Sequence, residues 1–126
     1  MAQDTIAADV EAFIVEVMDS VATMEACTLS YRERAARWSI REMAGRLYVE
    51  EARARESLER LVRYGILRVE DDCYRYAPSD PQLEALLSRV VQTYDRQLIP
   101  VTNLIHSRVK PSITEFANAF RMRKDR

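Results

Sequence analysis

From Trp38 to Tyr76 the sequence spells out one order of local structure: a short capped helix, a turn, a second helix ended by glycine, and a tight β-hairpin. Ser39-Ile40-Arg41-Glu42 has the spacing of a capping box, in which the Ser39 hydroxyl accepts from the Glu42 amide and the Glu42 carboxylate reaches back to the Ser39 amide. Trp38 and Met43 stand at the two staple positions flanking that box, where an apolar contact sets how the chain enters the helix. The second helix is expected to start near Glu51 and to stop at Gly65, since glycine takes the left-handed conformation that closes a helix without Cβ strain. Residues 66–69 (Ile-Leu-Arg-Val), 70–72 (Glu-Asp-Asp) and 73–76 (Cys-Tyr-Arg-Tyr) then read as strand, turn and strand.

The flanks read as helices. Ile6, Val10, Phe13, Ile14, Val17 and Met18 recur at helical spacing, which predicts a helix over 5–18. Asp19 or Ser20 suits the cap of a following helix with Val21, Met24 and Cys27 on one face, and whether 5–30 is one bent helix or two stays open. Residues 31–37 read as loop or frayed helix. After the break at Ala77-Pro78-Ser79-Asp80-Pro81, Asp80 is placed as N-cap and Pro81 as first helical residue. Leu83, Leu87, Val90, Tyr94, Leu98, Val101 and Ile105 then predict a helix reaching about residue 108, on the order of 40 Å long and kinked at Pro100. Ser112-Ile113-Thr114-Glu115 is a second capping box, opening a short helix with Ile113, Phe116, Ala117 and Phe120 on one side, before a basic tail at 121–126.

Composition bounds the function classes. A chain of 126 residues, 48% hydrophobic, with two glycines and four prolines, is expected to form one core with an appended element, divided here as 1–78 and 79–126. The formal net charge of −1 exerts no global pull on nucleic acid, but its distribution is uneven. Residues 1–30 carry six acids and no base, whereas 31–68 carry ten arginines against six glutamates. Cys27 and Cys73, 46 positions apart, with His106 the single histidine, are too few for a structural zinc site. No metal and no cofactor are expected. No transmembrane-length apolar run and no signal peptide are evident, so a cytoplasmic protein with reduced thiols and no membrane partner is expected, Cys27 in the core and Cys73 in the hairpin. Nor is there a phosphate-binding glycine loop, a Ser/His/Asp or Cys/His constellation or an HExxH pattern, so an enzyme is not expected. Gly65 is assigned to the helix end and Gly45 to a close approach of two helices.

Ser39-Ile40-Arg41-Glu42-Met43-Ala44, the run from Leu58 through Val62 to Gly65-Ile66-Leu67, and Tyr74-Arg75-Tyr76 together resemble bacterial winged helix-turn-helix regulators of the MarR-like type. The resemblance covers roughly residues 9–78, with a long C-terminal helix of the kind such proteins use to dimerise. It implies a mainly α fold with a small β-hairpin wing, N-terminal helices and a C-terminal helical extension that serves as the dimerisation element. It also implies a homodimer that regulates transcription by reading duplex DNA through the helix at about 51–64.

On that helix, Ala54, Leu58, Leu61 and Val62 are expected to face the core, and Glu51, Ala52, Arg53, Arg55, Glu56 and Arg60 to face out. Arg53 and Arg55 are the candidates for base edges, and Arg41, Arg46 and Arg60 for phosphates. Two features depart from the family: carboxylates at Glu50, Glu51 and Glu56, and a wing tip of Glu70-Asp71-Asp72. They leave open a second class, a winged-helix module that binds a protein and not DNA. On that reading the arginines form a solvated face with pairs such as Glu56–Arg60 and Glu59–Arg63. Phe116 and Phe120 dock on the domain, on the second subunit or on a protein partner.

Overall fold

The computed structural model describes residues 5–107 of the chain. In order it holds α1 (Ala8–Val17), α2 (Val21–Arg32), β1 (Arg37–Trp38), α3 (Ile40–Leu47), α4 (Glu51–Arg63), β2 (Leu67–Glu70), β3 (Cys73–Tyr76) and α5 (Pro81–Arg96), followed by a helix at 98–107, α6. The fold is mainly helical with one three-stranded antiparallel sheet in the order β1-β3-β2.

Helix starts follow the capping chemistry. The Thr23 amide donates to Ser20 Oγ at 3.2 Å, and the Leu83 amide to Asp80 Oδ1 at 2.8 Å with Pro81 in the first turn. At Ser39 both halves of the capping box form, each at 3.0 Å, and Trp38 and Met43 are both buried. Each such cap contributes about 1 kcal/mol. Helix α4 closes at Gly65 (φ 76°), with the Gly65 amide on the Val62 carbonyl at 3.0 Å and the Ile66 amide on the Leu61 carbonyl at 2.9 Å. That pair of bonds is a Schellman motif with glycine where the left-handed residue must stand.

The core is continuous from the sheet to the outer helices. Trp38, Leu67, Tyr74 and Tyr76 bury the inner face of the sheet against Met24 and Cys27 of α2, Met43 of α3, and Ala54, Leu58 and Leu61 of α4. Val10, Ile14 and Val17 of α1 join the same cluster with Leu87, Val90 and Tyr94 of α5 and Val101 and Ile105 of α6. The apolar stripe of the C-terminal helices therefore belongs to the core of its own chain, except at Leu98, which is exposed.

The structure corrects several expectations. The chain from 5 to 30 forms two helices, parted at Met18 (φ −91°, ψ 95°) and capped anew at Ser20. Within the segment expected to be loop or frayed helix, α2 runs on to Arg32, and Arg37 starts a strand with Trp38 opposite Tyr74 of β3. A two-residue strand carries no alternation to detect, and its partner lies 36 positions away. The hairpin turn is Asp71-Asp72 alone, since Glu70 already pairs with Cys73. The single kinked helix is instead α5 and α6, separated at Gln97 (φ −129°, ψ 57°). In an unbroken helix the Pro100 ring would strike the Arg96 carbonyl; in the first turn of α6 its missing N–H costs nothing. The second capping box, Phe116, Phe120 and the basic tail lie outside the described residues.

Gly45 does not mediate a close helix approach. A Cβ built there meets nothing within 4 Å. Glycine is the poorest helix former after proline, so Gly45→Ala is expected to raise stability by about 0.5–1 kcal/mol. A denaturant midpoint shifted upward at unchanged slope checks it, and a loss of stability would restore the packing role.

Candidate nucleic-acid interface

The amphipathic pattern of α4 decides which of its side chains meet solvent. Ala54, Ser57, Leu58 and Leu61 are buried, Val62 is half-buried, and Glu51, Ala52, Arg53, Arg55, Glu56, Glu59 and Arg63 are exposed. Ser57 was not foreseen on the inner face, although it stands three residues after Ala54 and four before Leu61. Its hydroxyl is 2.9 Å from Thr23 Oγ1, which donates to Asp19 Oδ1 at 2.6 Å. The buried hydroxyls thus satisfy one another and end on a carboxylate, which tethers α4 to the corner between α1 and α2.

The five arginines singled out from the sequence are not equivalent. Arg53 projects from the exposed face and pairs with Glu56 at 3.3 Å, one turn on. Arg55 is exposed and makes no ion pair or hydrogen bond with the described residues. It faces the hairpin: burial raises the pKa of the Tyr74 phenol, Glu59 adds to the rise, and the Arg55 charge opposes it. The Arg41 side chain is 89% exposed and stands 3.8 Å from Glu51, bridging α3 to the first turn of α4. Arg46 lies 5.2 Å above the Trp38 ring and 3.0 Å from Glu33. With Arg37, Arg41 and Arg46 line an open groove of about 480 Å³ floored by Trp38.

Arg60 belongs to the scaffold. Its side chain is only 18% exposed, its Nε donates to the Val17 carbonyl, and Nη2 donates to the Glu16 carbonyl at 3.0 Å. These are last-turn carbonyls of α1, where a cation is favoured by both hydrogen bonding and the helix dipole. The guanidinium also lies 5.4 Å from the Tyr64 ring, whose hydroxyl donates to Glu16 Oε2 at 3.0 Å. Among the described residues no ion pair joins Glu56 to Arg60, because Arg60 has turned to α1, and none joins Glu59 to Arg63.

At the hairpin tip Asp71 and Asp72 have φ of 51° and 64°, the backbone of a type I′ hairpin turn. Short acidic side chains tolerate that conformation, so the carboxylates have a local reason to be there. Register places Arg37, Arg75 and Arg68 side by side across the outer face of the sheet. Glu70 accepts from Arg75 at 2.8 Å and lies 3.6 Å from Arg37. The Arg75 hydrogen bond holds the Glu70 carboxyl below the usual carboxylate range, so this acid is ionised at neutral pH and committed to its neighbours. The unengaged negative charge of the hairpin is confined to its two tip residues.

Among the described residues no cluster of histidine, cysteine, aspartate or glutamate is placed to hold a metal ion. Burial pushes the Cys27 thiol up to about 12, which keeps it protonated at neutral pH. Cys73 is half-buried in β3 and His106 is exposed on α6. No described helix is long and apolar enough to cross a membrane. No family model, curated protein or solved structure matches the chain.

Proposed function

We propose that the chain is a winged-helix transcriptional regulator of the MarR-like kind that reads duplex DNA through α4. The observation that carries this reading is the arrangement around α4. A helix–strand–helix–turn–helix–hairpin order with sheet order β1-β3-β2 packs the inner side of α4 and leaves Arg53 and Arg55 on its solvent side. Arg53 and Arg55 read base edges in the major groove, while Arg41 and Arg46 anchor phosphates from α3. Arg60 is removed from the contact set and assigned to holding α1. The working form is a cytoplasmic homodimer, which offers two α4 helices to a palindrome. Leu98 and Ile99 are large apolar side chains that α6 leaves exposed for a subunit contact.

A second reading, a winged-helix module that binds a protein, draws on the acidic tip at Asp71-Asp72 and on the pairing of Arg53 with Glu56. Anisotropy of the full chain with pooled short genomic duplexes, titrated across salt, separates the two. DNA binding predicts affinity that falls linearly in log–log form with salt, with a slope of about −0.9 per phosphate neutralised. Absence of binding at low salt overturns the DNA reading and leaves the protein-binding one.

A further inference from the structure

Helices α3 and α4 both end in a left-handed residue, but the chain fills the two positions differently. At the end of α4 that residue is Gly65, with the Ile66 amide on the Leu61 carbonyl. At the end of α3 it is Tyr48, at φ 57° and ψ 46°, with the Val49 amide on the Ala44 carbonyl at 3.1 Å. The closing bond five residues back is shared, although the Tyr48 amide also turns to Ala44 where the Gly65 amide turns to Val62; the residue type is not shared. Glycine adopts this conformation freely, whereas a bulky aromatic residue strains the backbone. A folded chain repays such strain when the side chain buries apolar area or makes bonds. Tyr48 does neither, being 94% exposed, the most exposed large hydrophobic side chain among the described residues. Strain retained without a contact in the fold points to a contact outside it.

The position of Tyr48 says what that contact is. It sits in the turn between the two arginine-bearing helices, three residues before Glu51, which Arg41 approaches from α3 at 3.8 Å. A residue in this turn stands at the rim of a groove that α4 enters, where the sugar–phosphate strand passes and base edges are out of reach. An aromatic ring with a terminal hydroxyl suits that environment, the ring lying along the sugar and the O–H donating to a phosphate oxygen. From these observations we infer that Tyr48 is a DNA-backbone anchor, retained at a cost to stability because its side chain docks on the phosphate strand beside α4. The inference rests on the DNA-binding reading and adds to it a residue that carries no charge.

The test compares the full-length wild type with Tyr48→Gly and Tyr48→Phe in two measurements, thermal unfolding and anisotropy with the duplex that wild type binds best. Tyr48→Gly relieves the left-handed strain and is expected to raise Tm by a few degrees, yet to weaken DNA binding about tenfold. Tyr48→Phe keeps the strain and loses only the hydroxyl, so Tm should hold while affinity falls a few-fold. Both variants should keep the wild-type salt slope, since no cation is removed. Tyr48→Gly that binds as tightly as wild type overturns the inference while leaving the DNA reading intact. A lowered Tm in Tyr48→Gly also overturns it, because the side chain would then serve the fold. Failure of wild type itself to bind any duplex overturns the DNA reading, and with it this inference.

Discussion

Arg53→Glu combined with Arg55→Glu is expected to lower duplex-DNA affinity by about a hundredfold or more, with the fold intact. Each bidentate arginine–base contact is worth about 1–3 kcal/mol, and reversing the charge adds repulsion from the phosphates to the lost contact. The fold has little reason to notice. Both side chains are on the solvent side of α4, and Arg55 makes no ion pair or hydrogen bond with the described residues. Glutamate is a good helix former, and within the first turns of a helix its charge suits the dipole. The internal costs are like-charge pairs: Arg53's partner Glu56 now faces a glutamate one turn away, and the glutamate at 55 stands four residues from both Glu51 and Glu59, each pair worth a few tenths of a kcal/mol. The measurement is anisotropy on the double variant beside its thermal midpoint. Unchanged affinity at unchanged Tm would sink the proposed readout, while lost affinity at unchanged Tm is the expected result.

The largest stability effect is expected at Gly65, where Ala should cost about 2–3 kcal/mol. Part of this is the left-handed backbone at φ 76°, which costs an L-residue about 1–2 kcal/mol. The rest is contact: a Cβ at this position falls 2.8 Å from Ser79 Oγ and 3.3 Å from Ser79 Cβ. Ser79 has little room to retreat, since its own amide donates to the Gly65 carbonyl at 2.9 Å. The two causes are separable in urea. Gly65→Ala with Ser79→Ala removes the hydroxyl in the way and should recover part of the loss, leaving the backbone share. Full recovery would show the backbone strain to be negligible, and no recovery would show the contact to be so. Gly45→Ala is the matched control, expected to move the midpoint the other way.

Much of the scaffold around α4 was legible in the sequence because its signals act within a few residues. The capping box at Ser39, the cap at Asp80 and the glycine stop at Gly65 are contacts between near neighbours, so residue type and spacing suffice to place them, and they narrow the cap of α2 to Asp19 or Ser20. The hydrophobic period likewise placed Ala54, Leu58 and Leu61 on the inner side of α4, since a helix carries its own geometry. The candidate contact surface was legible only in part. Arg60 has the same chemistry as Arg53 and sits on the same helix, and nothing local says that it will be claimed by carbonyls at Glu16 and Val17, more than forty positions earlier.

By itself, then, the sequence determined where α3, α4 and α5 start, where α4 stops, and that a hairpin follows, because short-range hydrogen bonding and periodicity decide those features. Only the tertiary structure decided that Arg37 and Trp38 form a strand, that Gly45 faces open space, and that Leu87, Val90, Tyr94, Val101 and Ile105 are internal core while Leu98 of the same stripe is exposed. It also decided which arginines keep their charge exposed and that Tyr48 stands strained and uncovered in the turn before α4. These are matters of what lies opposite a residue in space, and packing brings together partners that the chain keeps far apart.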